Sequence, residues 1–165
     1  MYQSSLLLIF PAAMAFAAAM DMLTMTIPNR ISLGLLAAFL LIFPIAGLPL
    51  DVVASHLAAG GIMLVAGVVM FAFGWVGGGD AKLLAAGALW LGLPQLAPFL
   101  LVTAMFGSVL LLALVAYRGY PAAALPIPEW AVRLHRSETG MPYGLAIGAA
   151  ALVLFPYSAL FKALI

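Results

Sequence analysis

Leu83–Tyr117 reads LLAAGALWLGLPQLAPFLLVTAMFGSVLLLALVAY, without a single charge. As one helix it would be about 52 Å long, far beyond the roughly 30 Å of a bilayer core. Gly92, Pro94 and Pro98 sit in its first half, and proline disfavours helix through the residue before it. The stretch therefore predicts a tight turn at Gly92–Pro98, between a short span (Ala81–Leu91) and a longer one (Ala97–Tyr117). Barrel strands would alternate apolar and polar residues over about ten residues. Here whole segments are apolar on every face, which is the helical pattern. In lipid such helices satisfy their own backbone groups.

The same pattern extends outward. Ser4–Met20, Ile31–Leu50, Val53–Val76 and Met141–Ile165 are each long and apolar enough to cross. The reading is an all-α, polytopic membrane helix bundle with six transmembrane helices, a single domain over residues 1–165 without an internal repeat. Composition agrees. The chain is 67% hydrophobic and 7% charged, whereas soluble domains are roughly 45–50% apolar and about 25% charged. A soluble fold of this length could not hide so much apolar surface. No Lys or Arg precedes Arg30, so the basic region of a signal peptide is missing, and Ser4–Met20 reads as a retained span.

Charge sets the orientation. With six spans, Arg30, Lys82, Arg118, Arg133 and Arg136 share one side, and only Lys162 lies opposite. Basic residues mark the cytoplasmic side, so both termini are expected to be non-cytoplasmic. Five spans would erase that bias. The longest loop, Arg118–Gly140, holds Pro121, Pro126 and Pro128. Its Glu129–Arg136 segment reads either as one or two helical turns at the headgroups or as a mobile loop.

The net charge of +1 points to no nucleic acid. There are no cysteines, which removes disulfides, cysteine-ligated zinc and a cysteine nucleophile. His56 and His135 lack metal-ligand spacing, so no metal and no cofactor is expected. Five carboxylates remain: Asp21, Asp51, Asp80, Glu129 and Glu138. Asp51 is alone in a short outer loop. Glu129 and Glu138 lie among arginines and read as solvated charge.

Asp21 and Asp80 differ from these. Asp21 ends the first apolar helix and Asp80 opens the fourth, so the topology puts both at one depth. Ionisable groups at membrane depth are expensive and usually functional. Two converging carboxylates cannot both ionise easily and titrate as a unit. Such a dyad can activate a water and protonate a leaving amine. A structural reading is also open: Asp21 capping a helix or meeting Arg30, Asp80 N-capping the fourth span.

Asp80 stands in Gly77-Gly78-Gly79-Asp80-Ala81-Lys82. The glycines let a backbone or a substrate strand approach the carboxylate, or else allow close helix packing. Neither a dinucleotide fingerprint nor a Walker loop is present.

Three motifs in order resemble the type IV prepilin peptidases: Asp21 followed by Ile27-Pro28-Asn29; Gly-x-Gly-Asp at Gly77–Asp80, continuing Ala81-Lys82-Leu83; and Met141-Pro142-Tyr143-Gly144 opening the last span. The resemblance is closest to the small enzymes of Flp (tight-adherence) pili. It implies a membrane-embedded aspartic endopeptidase that cleaves prepilin leaders at the cytoplasmic face of the bacterial inner membrane. Asp21 and Asp80 would be the catalytic pair. Gly77, Gly78 and Gly79 would meet the substrate, a leader followed by a hydrophobic helix; Lys82 would stabilise an ionised Asp80 or hold a substrate carbonyl, or else snorkel toward the headgroups. Larger members carry a cysteine-paired cytoplasmic region and methylate the new N-terminus. This sequence shows no such region and no cysteine, so methyl transfer is not expected of it. Pro28-Asn29 reads as a helix stop and start, Asn being a good cap. Pro142 reads as the start of the last span.

The rival from another class is a proton-coupled transporter or channel subunit using the same aspartates. Against it, a relay needs groups distributed across the membrane, and these two share one side. A purely structural subunit would need neither carboxylate.

Overall fold

The computed structural model describes residues 5–119, 128–136 and 140–165. Ser4, Pro121, Pro126 and Glu138 lie outside the described residues. Among the described residues every regular element is helical: α1 (Ile9–Thr24), α2 (Asn29–Ile45), α3 (Leu50–Ala72), α4 (Gly78–Leu91), α5 (Leu93–Arg118), α6 (Glu129–His135), α7 (Tyr143–Leu154), a 3-10 turn (Phe155–Tyr157) and α8 (Ala159–Leu164). By length and composition, α3 and α5 can each cross a membrane. Their outer faces leave Ile62, Val65, Val68, Leu101, Val109 and Leu112 exposed. Apolar surface on this scale needs a partner such as lipid.

A short apolar helix forms the centre of the core. α4 has 14 residues and is about 21 Å long, yet every residue from Leu83 to Leu91 is buried. A helix apolar all round belongs inside protein or lipid, and α4 is sheathed by α3, α7, α2 and α5. Small residues bring α3 against it. A Cβ at Gly67 would lie 2.9 Å from Ala81 Cβ, and one at Gly60 would lie 3.0 Å from Leu89 Cβ. Without a hydrophobic drive between helices in lipid, such close backbone packing holds the bundle together. At the far end of α4, Trp90 is fully buried. It stacks on Phe10 of α1 at 5.0 Å, and its Nε1 donates to Leu35 O of α2 at 2.9 Å. The indole thus adds apolar area while its polar handle stays satisfied.

Helix boundaries differ from expectation in informative ways. α1 runs past Asp21 to Thr24 because no breaker precedes Pro28. It closes at Met25, whose φ is +56° and whose N–H donates to Asp21 O at 2.8 Å. The turn expected over Gly92–Pro98 narrows to Gly92, with φ +81°. A Cβ there would also press on the His56 ring, 3.2 Å from Nε2. Pro94 falls in the first turn of α5, where its missing N–H has no helical partner anyway, and Pro98 is tolerated one turn later. Asp51 lies in the first turn of α3, where the helix dipole favours a carboxylate. The last apolar segment breaks at Phe155–Tyr157, and Ser158 Oγ caps α8 by accepting Phe161 N–H at 3.2 Å. Of the two readings of Glu129–Arg136, the helical one holds. Pro128 takes the N-cap position of α6, and the helix is tied to α5 by Tyr117 Oη donating to Ala131 O and Arg118 Nε donating to Leu134 O.

Candidate active site

The end of α1 and the starts of α4 and α7 meet around a cavity of about 700 Å³, lined by Asp21, Gly77, Asp80, Thr103, Tyr143 and several methionines. The two aspartates, distant in sequence, face one space. Asp21 is buried, 6% exposed. Its Oδ2 accepts the backbone N–H of Gly144 at 2.7 Å. That N–H belongs to the first turn of α7, where amides lack helical acceptors. Asp21 therefore caps a helix other than its own, and does not meet Arg30.

Asp80 is the third residue of α4, whose N-cap is Gly77 with no side-chain cap. Its Oδ1 is buried and has no hydrogen-bond partner. The expected capping role is thus absent, and the carboxylate keeps its acceptor capacity for something else. A buried polar atom without a partner is costly and calls for an explanation. Gly77 lines the cavity, and a Cβ there would lie 3.0 Å from Asp80 Oδ2.

The other expected substrate contacts separate. Gly78 packs under Phe71, and a Cβ on Gly79 would lie 3.0 Å from Ile27 Cβ. In this arrangement both glycines lie in close contact with a neighbouring side chain. Lys82 leaves the aspartates altogether, and its Nζ donates to Asn29 Oδ1 at 2.8 Å. Asn29 therefore does not cap α2; Pro28 holds the N-cap position.

Three residues go beyond the sequence reading. Thr103 of α5 is buried in the cavity wall, and its Oγ1 has no partner. Tyr143 also lines the cavity, its ring seated on Gly107, where a Cβ would come within 2.6 Å of Cε2. Gly144 admits Asp21, since a Cβ there would lie 2.8 Å from Oδ2. The Met141–Gly144 motif thus orients the site as well as starting α7. Thr103 and Gly107 share a helical face at four-residue spacing, the one signal that could have marked α5 as a wall of the site.

The profile of the type IV leader peptidase family matches residues 8–112. The chain belongs to that family. It is a membrane peptidase, and the family implies type IV prepilins as its substrates. The matched region of this leader peptidase holds both Asp21 and Asp80 and ends before Tyr143 and Gly144. No curated protein and no solved structure matches the chain.

Proposed function

We propose that this peptidase is an aspartic endopeptidase in which Asp21 and Asp80 together activate the attacking water. The observation that carries the reading is the shared cavity: both carboxylates line it, one held by a backbone donor and one with a buried, unpartnered oxygen. One aspartate, as carboxylate, takes a proton from water. The resulting hydroxyl bonds to the scissile carbonyl carbon while the other aspartate, as acid, protonates the carbonyl oxygen. The gem-diol then collapses. Its hydroxyl proton returns to the second aspartate, the C–N bond breaks, and the proton taken from water goes to the leaving amine.

The remaining parts of the reading rest on the substrate and the charge pattern. A pilin helix cannot be cut while helical, because its carbonyls are engaged in internal hydrogen bonds. The segment near the cut must extend into the cavity past Gly77, and the Thr103 hydroxyl is available to the extended strand or to the water. The substrate is a Flp-type prepilin, its leader followed by a hydrophobic helix. The five-to-one basic bias supports six spans, both termini outside the cytoplasm and a site facing the cytoplasm at the bacterial inner membrane. α4 counts as a span despite its length because protein sheathes it. The test is incubation of the purified peptidase with a peptide carrying a prepilin leader and the start of its apolar helix, followed by mass spectrometry. A single cut at the leader boundary supports the reading; an intact peptide contradicts it.

A further inference from the structure

α4 presents two lined faces. Asp80 and Leu84 border the aspartate cavity, whereas Lys82, Ala85, Ala86 and Leu89 floor a separate groove of about 450 Å³ between α2 and α3. At 100° per residue these sets lie on opposite sides of the helix, and the two spaces share no residue. The groove is polar at one end only. Asn29, Ser32 and Lys82 gather there. Lys82 Nζ donates to Asn29 Oδ1, and Ser32 Oγ is buried without a partner. Beyond them the lining is Leu36, Leu57, Gly61 and Leu89. From Lys82 to Leu89 the slot runs about 10 Å along the helix axis.

We propose that this groove binds one acyl chain of an anionic phospholipid, with the headgroup phosphate at Lys82, Asn29 and Ser32. A phosphate only accepts hydrogen bonds, and this end offers an ammonium, an amide and a hydroxyl. Lysine binds phosphate as a point charge, and anionic headgroups gather at basic side chains beside the membrane. Past the polar end the lining is wholly apolar, so a phosphate headgroup and an acyl tail match the groove from end to end. The groove is kept open by Gly61, where a Cβ would meet nothing within 4 Å. Larger side chains at that position fill the slot without a collision at Cβ.

Native mass spectrometry of the full-length peptidase in neutral detergent tests this, with phosphatidylglycerol or phosphatidylcholine added. The wild type should retain one phosphatidylglycerol per chain and prefer it about fivefold, the effect of one basic side chain on an anionic lipid. Lys82→Gln should bring that preference to about one, and Gly61→Phe should abolish retention of either lipid. Gly61→Leu is the second filling variant, and decides the matter if the phenylalanine protein does not fold. Unchanged lipid retention in a folded filling variant overturns the proposal. So does retained lipid accompanied by a raised KM for prepilin, which would assign the groove to the substrate helix.

Discussion

Asp21 Oδ2 accepts the Gly144 N–H at 2.7 Å, tying the last turn of α1 to the first turn of α7 across 123 residues of sequence. The two helices also pack along their length, with Gly148 of α7 against Met14 and Ala18 of α1, and this bond fixes their register at the cavity. A methyl group on residue 144 would lie 2.8 Å from that oxygen and equally near Ile27 Cδ1. Gly144→Ala should therefore displace the carboxylate. Misplacement of a reacting group by about 1 Å costs about 100-fold in rate, so prepilin cleavage should fall by that order while the protein still accumulates in membranes. Immunoblotting of membrane fractions beside a cleavage assay measures both.

Thr103 gives a test in which stability and activity move apart. Thr103→Val keeps the shape and removes the unpartnered hydroxyl. An unsatisfied buried hydroxyl costs ~1–3 kcal/mol, so the valine variant should melt at the same temperature as the parent or above it. Cleavage should fall roughly ten- to hundredfold, the kinetic equivalent of one hydrogen bond. Thr103→Ser should retain most of the activity. Equal loss in both variants would point to packing.

Much of the fold is legible in the sequence because lipid demands segments apolar on every face, and glycine and proline punctuate them. Both aspartates stand out for the same reason, as charges at the ends of uncharged runs. The interior arrangement is not legible. In lipid, a residue facing protein and one facing solvent are equally apolar: Leu83–Leu91 is wholly buried while Leu111, Leu112 and Val115 of α5 are exposed. Lys82 shows a second limit. Two residues after Asp80, it lies about 200° around the helix. That separation is readable only once α4 is known to start at Gly78, three residues before Ala81. Thr103 is one of three hydroxyl-bearing residues in α5, with Ser108 and Tyr117, and only its four-residue spacing from Gly107 sets it apart.

The glycine run should divide by position. Gly77→Ala places a methyl 3.0 Å from Asp80 Oδ2, so it should reduce cleavage by roughly tenfold with little change in melting. Gly79→Val forces a β-branched side chain against Ile27 and should cost ~1–3 kcal/mol of stability, as overpacking does. Melting in detergent beside specific activity separates the two. If Gly79→Val keeps full stability and loses cleavage, that glycine serves substrate access after all.

Topology is testable without the substrate. Reporter fusions after Arg30, Lys82 and Arg136 should all report cytoplasm, and a fusion near Pro94 should report the opposite side. Agreement between Pro94 and Arg136 would remove one crossing and require a new placement of the aspartates.

The central claim is that both carboxylates are needed for bond cleavage. Asp21→Asn and Asp80→Asn keep side-chain shape and remove the ionisable group. Each variant is co-expressed with a Flp-type prepilin, and the pilin N-terminus is sequenced. The account predicts normal membrane insertion of both variants and a prepilin that retains its leader in each. A mature pilin N-terminus at near wild-type yield from either variant would contradict it.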